Sequence, residues 1–372
     1  PNPKPQTPNP KPQTPQSLSA PAVVKIAERS GVGEVYIMER AEREKILHEY
    51  RTFCSKNDPS YYSYENLTFQ FSNCERYEVV RSIGRGKYSD VYEGVDTKND
   101  LPVVIKLLKP VRKVKIAREI RILELLRGGP NIIALLDICH DNISSTPSLV
   151  FERLSVTNLK QIMLSLNLAD VKTYMYQVFK ALDYCHSRGI MHRDVKPMNI
   201  IVCTETKMLK LIDWGLSEFF LERKDYNTRV SSRPYKSPEL LVNYQFYDFS
   251  LDIWSAGTML AAIMFRKEHF FLGKDNVDQL AKIVSVLGTK DFLAYLAKYG
   301  IELEPQELAM YKNKERKDFS LFITDKCREL CTKEAMDLLS KMLLYDHNER
   351  ITAREALKHA FFDDVREKLN RK

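Results

Sequence analysis

Seven cysteines in 372 residues are too few for a disulfide scaffold, and the odd count leaves one without a partner. Only Cys327 and Cys331 stand close together, and no second Cys or His pair follows at the spacing of a zinc site. Free thiols in a reducing compartment are therefore expected. No run approaches the ~20 apolar residues of a membrane-spanning helix, which excludes an integral membrane protein of that kind. The N-terminal tract lacks the apolar stretch of a secretory signal, and five acids from Glu28 to Glu44 argue against an organellar transit peptide. What is present is a 44% hydrophobic, 28% charged chain, rich enough in large apolar residues to build a core and to exclude global disorder. Its length corresponds to about two average domains or slightly more. Lys and Arg number 57 against 49 Asp and Glu, a balance that admits an acidic protein or nucleic acid as partner and proves neither.

The composition changes along the chain. The first 21 residues hold eight of the 17 prolines and repeat one heptapeptide, Pro1–Thr7 and Pro8–Thr14. Such a tract favours extended conformations and buries nothing. With no initial Met, 1–33 reads as a processed end or an added linker. Residues 34–76 read as a docking segment, with a helix over 34–53 carrying Val35, Met38, Ile46 and Tyr50, and then Tyr61, Tyr62 and Tyr64. From Tyr77 the pattern alternates as strands do: Glu78–Ile83, Val91–Val95, Val103–Leu107, then Ile132–Cys139 and Leu149–Phe151. A basic helix over 114–127 interrupts them and stops at Gly128-Gly129-Pro130. Helices follow at about 158–166, 170–187, 250–265, 276–286, 333–343 and 353–360. Strands first and helices later predict an α+β protein, with a small sheet-rich part over 77–153 and a larger helical part over 154–365.

Chemistry enters with Gly84-Arg85-Gly86-Lys87-Tyr88-Ser89. Glycines let a backbone approach phosphates closely, yet an ordinary hairpin turn reads the same way. Dinucleotide binding requires a helix next, and here a strand follows. Lys106 ends the apolar run Val103-Val104-Ile105. Glu119 lies among Ile116, Ile120, Leu123 and Leu126 on a helix, where an unpaired carboxylate would cost several kcal/mol. Lys106 is its expected partner. The strongest element is Met191-His192-Arg193-Asp194-Val195-Lys196-Pro197-Met198-Asn199, followed by a hairpin that ends in Asp213-Trp214-Gly215. A carboxylate to take a hydroxyl proton, an amide ligand and a second acid form a magnesium-dependent phosphoryl-transfer set. Ser237-Pro238-Glu239, Asp252-Ile253-Trp254 and Arg350 come later.

With these residues in hand, 77–362 resembles the eukaryotic protein kinases: glycine loop, Val-Val-Ile-Lys, His-Arg-Asp with Asn, and Ser-Pro-Glu for the usual Ala-Pro-Glu, whose glutamate would pair with Arg350. Asp-Trp-Gly in place of Asp-Phe-Gly, with Leu-Arg-Gly-Gly-Pro-Asn-Ile-Ile and Leu-Ile-Asp-Trp-Gly-Leu, is similar to the casein kinase II catalytic (alpha) subunits. The chain departs from them where Val114 and Ala117 interrupt a run of lysines, at Met198, and at Pro234-Tyr235 and Ser237.

The resemblance implies a bilobal kinase fold and transfer of the γ-phosphoryl of ATP, with GTP as a second donor, to Ser or Thr in acidic sequences. Lys106, Glu119, Asp194 and Lys196 would be catalytic. Asn199 and Asp213 would bind Mg2+. Ile83, Gly84, Arg85, Gly86, Lys87, Tyr88, Ser89, Val91, Val104, Phe151, Glu152, Leu154, Ile201 and Ile212 would join Lys106 around the nucleotide. Arg193, Arg229, Arg233 and Lys236 would read acidic substrates. Tyr61–Glu65 would brace the segment from Asp213 to Glu239, giving constitutive activity without phosphorylation at Thr228, Ser231 or Ser232. Also implied are a dimeric regulatory beta subunit, in an assembly of two alpha and two beta chains, and residence in nucleus and cytoplasm. No membrane or direct nucleic-acid binding is expected, since no recognition fold accompanies the charge. A pseudokinase scaffold would lack Lys106, Asp194 or Asp213, and all three are present. Lys236 argues against a proline-directed kinase.

Overall fold

The computed structural model describes residues 31–86, 88–109, 112–140, 147–154 and 156–371, with side chains from Met38 onward. The proline-rich repeat and Lys87 lie outside the described residues. Helix α1 (Gly31–Lys56) extends beyond the predicted 34–53 at both ends. Ile46, Leu47, Tyr50 and Cys54 on it are buried.

Six strands then form one sheet: β1 (Ser72–Asn73), β2 (Tyr77–Arg85), β3 (Ser89–Asp96), β4 (Leu101–Leu108), β5 (Leu135–His140) and β6 (Pro147–Glu152). Their spatial order is β1-β5-β6-β4-β3-β2, antiparallel except where β1 joins β5. The glycine loop is the β2–β3 hairpin, with Arg85 opposite Asp90 and Gly84 opposite Val91. Helix α2 (Lys113–Leu125) crosses between β4 and β5 and buries Ala117, Ile120, Ile122 and Leu123 together with Glu119. It stops before Gly128, whose φ of 76° is a conformation that favours glycine.

After β6 the chain turns helical. The expected helix at 158–166 is only Leu159–Ile162. Asn158 caps it, and Asn167 is committed to capping α3 (Leu168–His186), so little chain is left between them. Helix α4 (Ser250–Met264) is buried at every residue and forms the axis of this lobe. Helices Thr289–Tyr299, Pro305–Met310 and Asp363–Asn370 were not anticipated. Among the described residues no helix is long and apolar enough to cross a membrane.

Between α3 and α4 lie the short pieces that position the chemistry: β8 (Ile190–Met191), the antiparallel pair β9 (Ile200–Val202) and β10 (Leu209–Leu211), and β11 (Glu218–Phe219), which pairs with β8. The small strand β7 (Thr157–Asn158) adds to β9.

Candidate active site

The loop after β8 is held from below by Asp252, at the start of α4. Its buried carboxylate accepts the N–H groups of His192 and Arg193, both at 2.8 Å, and lies 3.0 Å from His186 Nε2. Arg193 takes a φ of 65°, and both donors reach the same acid. Burial would raise the Asp252 carboxyl, but His186, His192 and these donors hold it below the usual range. His192 Nδ1 accepts from the Asp194 N–H, so Nε2 carries the proton toward the Ile212 carbonyl at 3.1 Å. Burial lowers this imidazole's pKa and keeps it neutral. Trp214 packs edge-on against His192 with centroids 4.6 Å apart and donates from Nε1 to the Leu211 carbonyl at 3.4 Å.

Asp194 is the centre of the polar cluster. Lys196 Nζ donates to its Oδ2 at 2.7 Å and Asn199 Nδ2 to the same oxygen at 3.0 Å. Oδ1 accepts from the Ser232 N–H and hydroxyl, each at 3.1 Å, while Lys196 also donates to Ser232 Oγ at 2.9 Å. The pair Lys106–Glu119 forms as expected, at 2.7 Å, and Lys106 reaches Asp213 Oδ1 at 2.9 Å as well. Burial works against the Lys106 ammonium, but the two carboxylates outweigh it and raise its pKa. Reciprocally, burial would raise Asp213, and Lys106 holds it low instead. Gly215 allows this crowding: a Cβ there would come 3.1 Å from Glu119 Oε2.

Beside these groups is a cleft of about 470 Å3 with apolar walls. Ile83, Ser89, Val91, Val104, Lys106 and Phe151 line it from the sheet, and Leu154, Asn199, Ile201, Ile212 and Asp213 from below. The Glu152 carboxylate is engaged by the Ala134 N–H and Lys210, so Glu152 offers the cleft its backbone. Sequence reasoning missed Arg81, Ile133 and Val156 on its wall. Arg81 and Arg153 are joined through Glu93, at 2.5 and 2.7 Å, a contact between strand and connector that no spacing announces. Gly84 and Arg85 do not line this cleft, and Gly86 and Tyr88 face a second one of about 540 Å3. There Lys115, Arg118, Lys196, Lys224 and Arg229 surround Asp194, Ser231 and Ser232.

Two residues expected to read substrate are buried, although Arg193 still lines the second cleft. Arg193 is buried, donating to the Leu216 carbonyl at 2.7 Å and to the Tyr247 hydroxyl at 3.0 Å, so it anchors the segment after Asp213. Lys236 is also buried, with Nζ on the carbonyls of Val230 and, at 3.3 Å, Thr228. Burial pushes its ammonium down to about 8. Both point inward because a bent segment exposes carbonyls that need donors. Arg229 and Arg233 are exposed, Arg233 donating to the Lys274 carbonyl at 2.5 Å. Ser232, which joins Asp194 to Lys196, was missed as a site residue, since nothing in the sequence links it to the loop 38 residues before.

The aromatic segment meets the same region. Tyr64 stacks on Phe219, donates to Glu218 at 3.2 Å, and Tyr61 packs edge-on against Phe219. Arg121 of α2 donates to the Tyr61 and Ser60 carbonyls. Arg350 forms a wholly buried two-pronged pair with Glu239, at 2.6 and 2.7 Å. A family model, the protein kinase domain, matches residues 77–362.

Proposed function

The chain belongs to the protein kinase family, and on that premise we propose that it phosphorylates Ser and Thr residues in acidic sequences, as the casein kinase II catalytic subunits it resembles do. Its α+β architecture is the bilobal kinase fold. Ser232 carries the argument for the acceptor: a short aliphatic hydroxyl contacts the Asp194 carboxylate and the Lys196 ammonium at once. A Ser or Thr of a substrate would need the same reach, with Asp194 orienting the hydroxyl and taking its proton and Lys196 steadying the transferred group. Lys115, Lys224 and Arg229 in the lining of the second cleft support acidic neighbours.

Lys106, held by Glu119, would take the α- and β-phosphates of ATP or GTP, with the base between the apolar walls of the first cleft. Asn199 and Asp213 fit Mg2+. The amide nitrogen of Asn199 is committed to Asp194, which leaves its oxygen for a hard cation, and Asp213 adds a carboxylate. Among the described residues no group of three or more His, Cys, Asp and Glu forms a cage. Magnesium ordinarily needs none, being held by one or two carboxylates with water and phosphates. When bound it would neutralise charge on the phosphates.

Contacts of Tyr61 and Tyr64 with Glu218 and Phe219 support activity without phosphorylation of the segment from Asp213 to Glu239. A regulatory beta subunit on the small lobe, in an assembly of two alpha and two beta chains, and residence in nucleus and cytoplasm belong to the same proposal. Exposed Val79, Val80 and Leu101 support a partner there. A peptide-library phosphorylation assay tests the reading. Labelled Ser and Thr followed by Asp or Glu are expected. Labelled Tyr, or equal rates for acidic and neutral peptides, would overturn it.

A further inference from the structure

Lys109 directly follows β4 and meets the tip of the glycine loop at three points. Its N–H donates to the Tyr88 carbonyl at 2.9 Å, which carries the β3–β4 ladder one step past the pair Ser89–Leu108. Its Nζ donates to the Gly86 carbonyl at 2.7 Å and stands 2.9 Å from Asp90 Oδ1. Within the tip, the Gly86 N–H donates to the Ser89 carbonyl at 2.8 Å. Lys115, in the first turn of α2, places its ammonium 6.0 Å from the centroid of the Tyr88 ring and adds a second hold.

This tip lies where the two clefts meet, since Ser89, Lys106 and Asp213 line both. Phosphates held by Lys106 would therefore lie beside it. A hairpin tip that carries a glycine has many conformations to lose when a ligand orders it. Holding the tip beforehand removes part of that cost from binding. The group held is a carbonyl, whose oxygen would repel phosphate oxygens if it turned toward them. Lys109 engages that oxygen, and Asp90 fixes the ammonium that does so. The Lys109 and Asp90 side chains are 40% and 23% exposed, so the clasp is modest in strength.

We propose that Lys109 is a positioning residue for the nucleotide: clasped to Gly86, Tyr88 and Asp90, it presets the glycine loop for the phosphates without touching them. This role rests on the proposed nucleotide cleft and adds to it a residue outside the motifs.

The test compares Lys109→Met, Lys109→Arg and the double variant Lys109→Met/Asp90→Asn, each matched to the wild type by circular dichroism. Lys109→Met should raise the Kd for magnesium-ATP and the KM for ATP about two- to fivefold, the worth of an exposed ion pair. The kcat and the peptide KM should stay near wild-type values. Hydrogen exchange should quicken in peptides covering 82–91 and stay unchanged in the helical lobe. Lys109→Arg keeps donors for the carbonyl and the carboxylate, and should restore both readings. The double variant keeps the net charge, so weaker ATP binding in it reports the lost clasp and not the lost field of one ammonium. Wild-type affinity in the double variant, unchanged exchange in Lys109→Met, or a fall in kcat with the KM for ATP unchanged would overturn the proposal. Binding and exchange need no phosphotransfer. A chain whose variants bind ATP as expected here, yet which phosphorylates no Ser or Thr, would overturn the proposed function alone.

Discussion

Arg118 and Glu218 form an ion pair at 2.7 Å, which fastens the helix bearing Glu119 to the segment that begins at Asp213. Both side chains are largely buried, and the Tyr64 hydroxyl lies on the same carboxylate. Removing one partner leaves a buried charge, a cost of about 3–5 kcal/mol. Glu218→Gln and Arg118→Met should each lower turnover and the denaturant midpoint. The double variant Arg118→Met/Glu218→Leu should unfold closer to the wild type than either single one. Strict additivity of the two losses would show that the pair is not coupled.

Activity should not depend on phosphorylation of Thr228, Ser231 or Ser232. Bacterially produced, phosphatase-treated protein is expected to be active, and Tyr61→Ala/Tyr64→Ala should reduce its turnover by uncovering Glu218 and Phe219. An inactive unphosphorylated enzyme that an upstream kinase rescues would reject the brace.

The two acids at the centre should separate cleanly. Asp194 does not line the first cleft, whereas Asp213 does. Asp194→Asn should abolish phosphotransfer with nucleotide affinity nearly unchanged. Asp213→Asn should weaken magnesium-nucleotide binding as well, because the carboxylate that would hold Mg2+ is lost. Equal losses of affinity in titrations of both variants would contradict these roles.

Peptides carrying one Asp at successive positions separate the basic residues. Lys236→Ala should slow acidic and neutral peptides alike, since its ammonium is spent on the Thr228 and Val230 carbonyls. Arg229→Ala should narrow the gap between acidic and neutral peptides. Exposed pairs are each worth only ~0.2–1 kcal/mol, so single losses are modest and acidic-peptide turnover should fall as salt rises. A Lys236 effect confined to the first position after the target would restore that residue to direct recognition.

Arg51 sets an acid limit. Burial would raise the Asp248 carboxyl, but the Arg51 guanidinium beside it, with His347 and Ser250, depresses it strongly. A carboxyl whose folded pKa is depressed contributes stability above its unfolded pKa, lost as pH falls through the folded value. Arg51→Met should therefore reduce stability at neutral pH and move the acid-unfolding midpoint to higher pH. An unchanged midpoint, followed by circular dichroism, would show that Asp248 is held low by its other donors.

Local pattern determined much of this protein. Alternation marked the strands from Tyr77 onward, glycines at 128 and 129 stopped α2, and the contiguous run from Met191 to Asn199 put Asp194, Lys196 and Asn199 on one loop. The placing of Glu119 on an apolar helix face demanded a cationic partner, and made Lys106 the candidate. These features are legible because each depends on neighbours within a turn, a strand or a charge requirement.

Tertiary structure decided the rest. Arg193 and Lys236 carry the charge expected of substrate readers, but a bent segment left carbonyls without partners, and the nearest donors turned inward to satisfy them. Ser232 joined Asp194, and Glu93 joined Arg81 to Arg153, through contacts whose sequence separation no periodicity encodes. A sequence shows which groups must be paired; only the packed chain settles which partner lies within about 3 Å, because a hydrogen bond is decided by distance and angle.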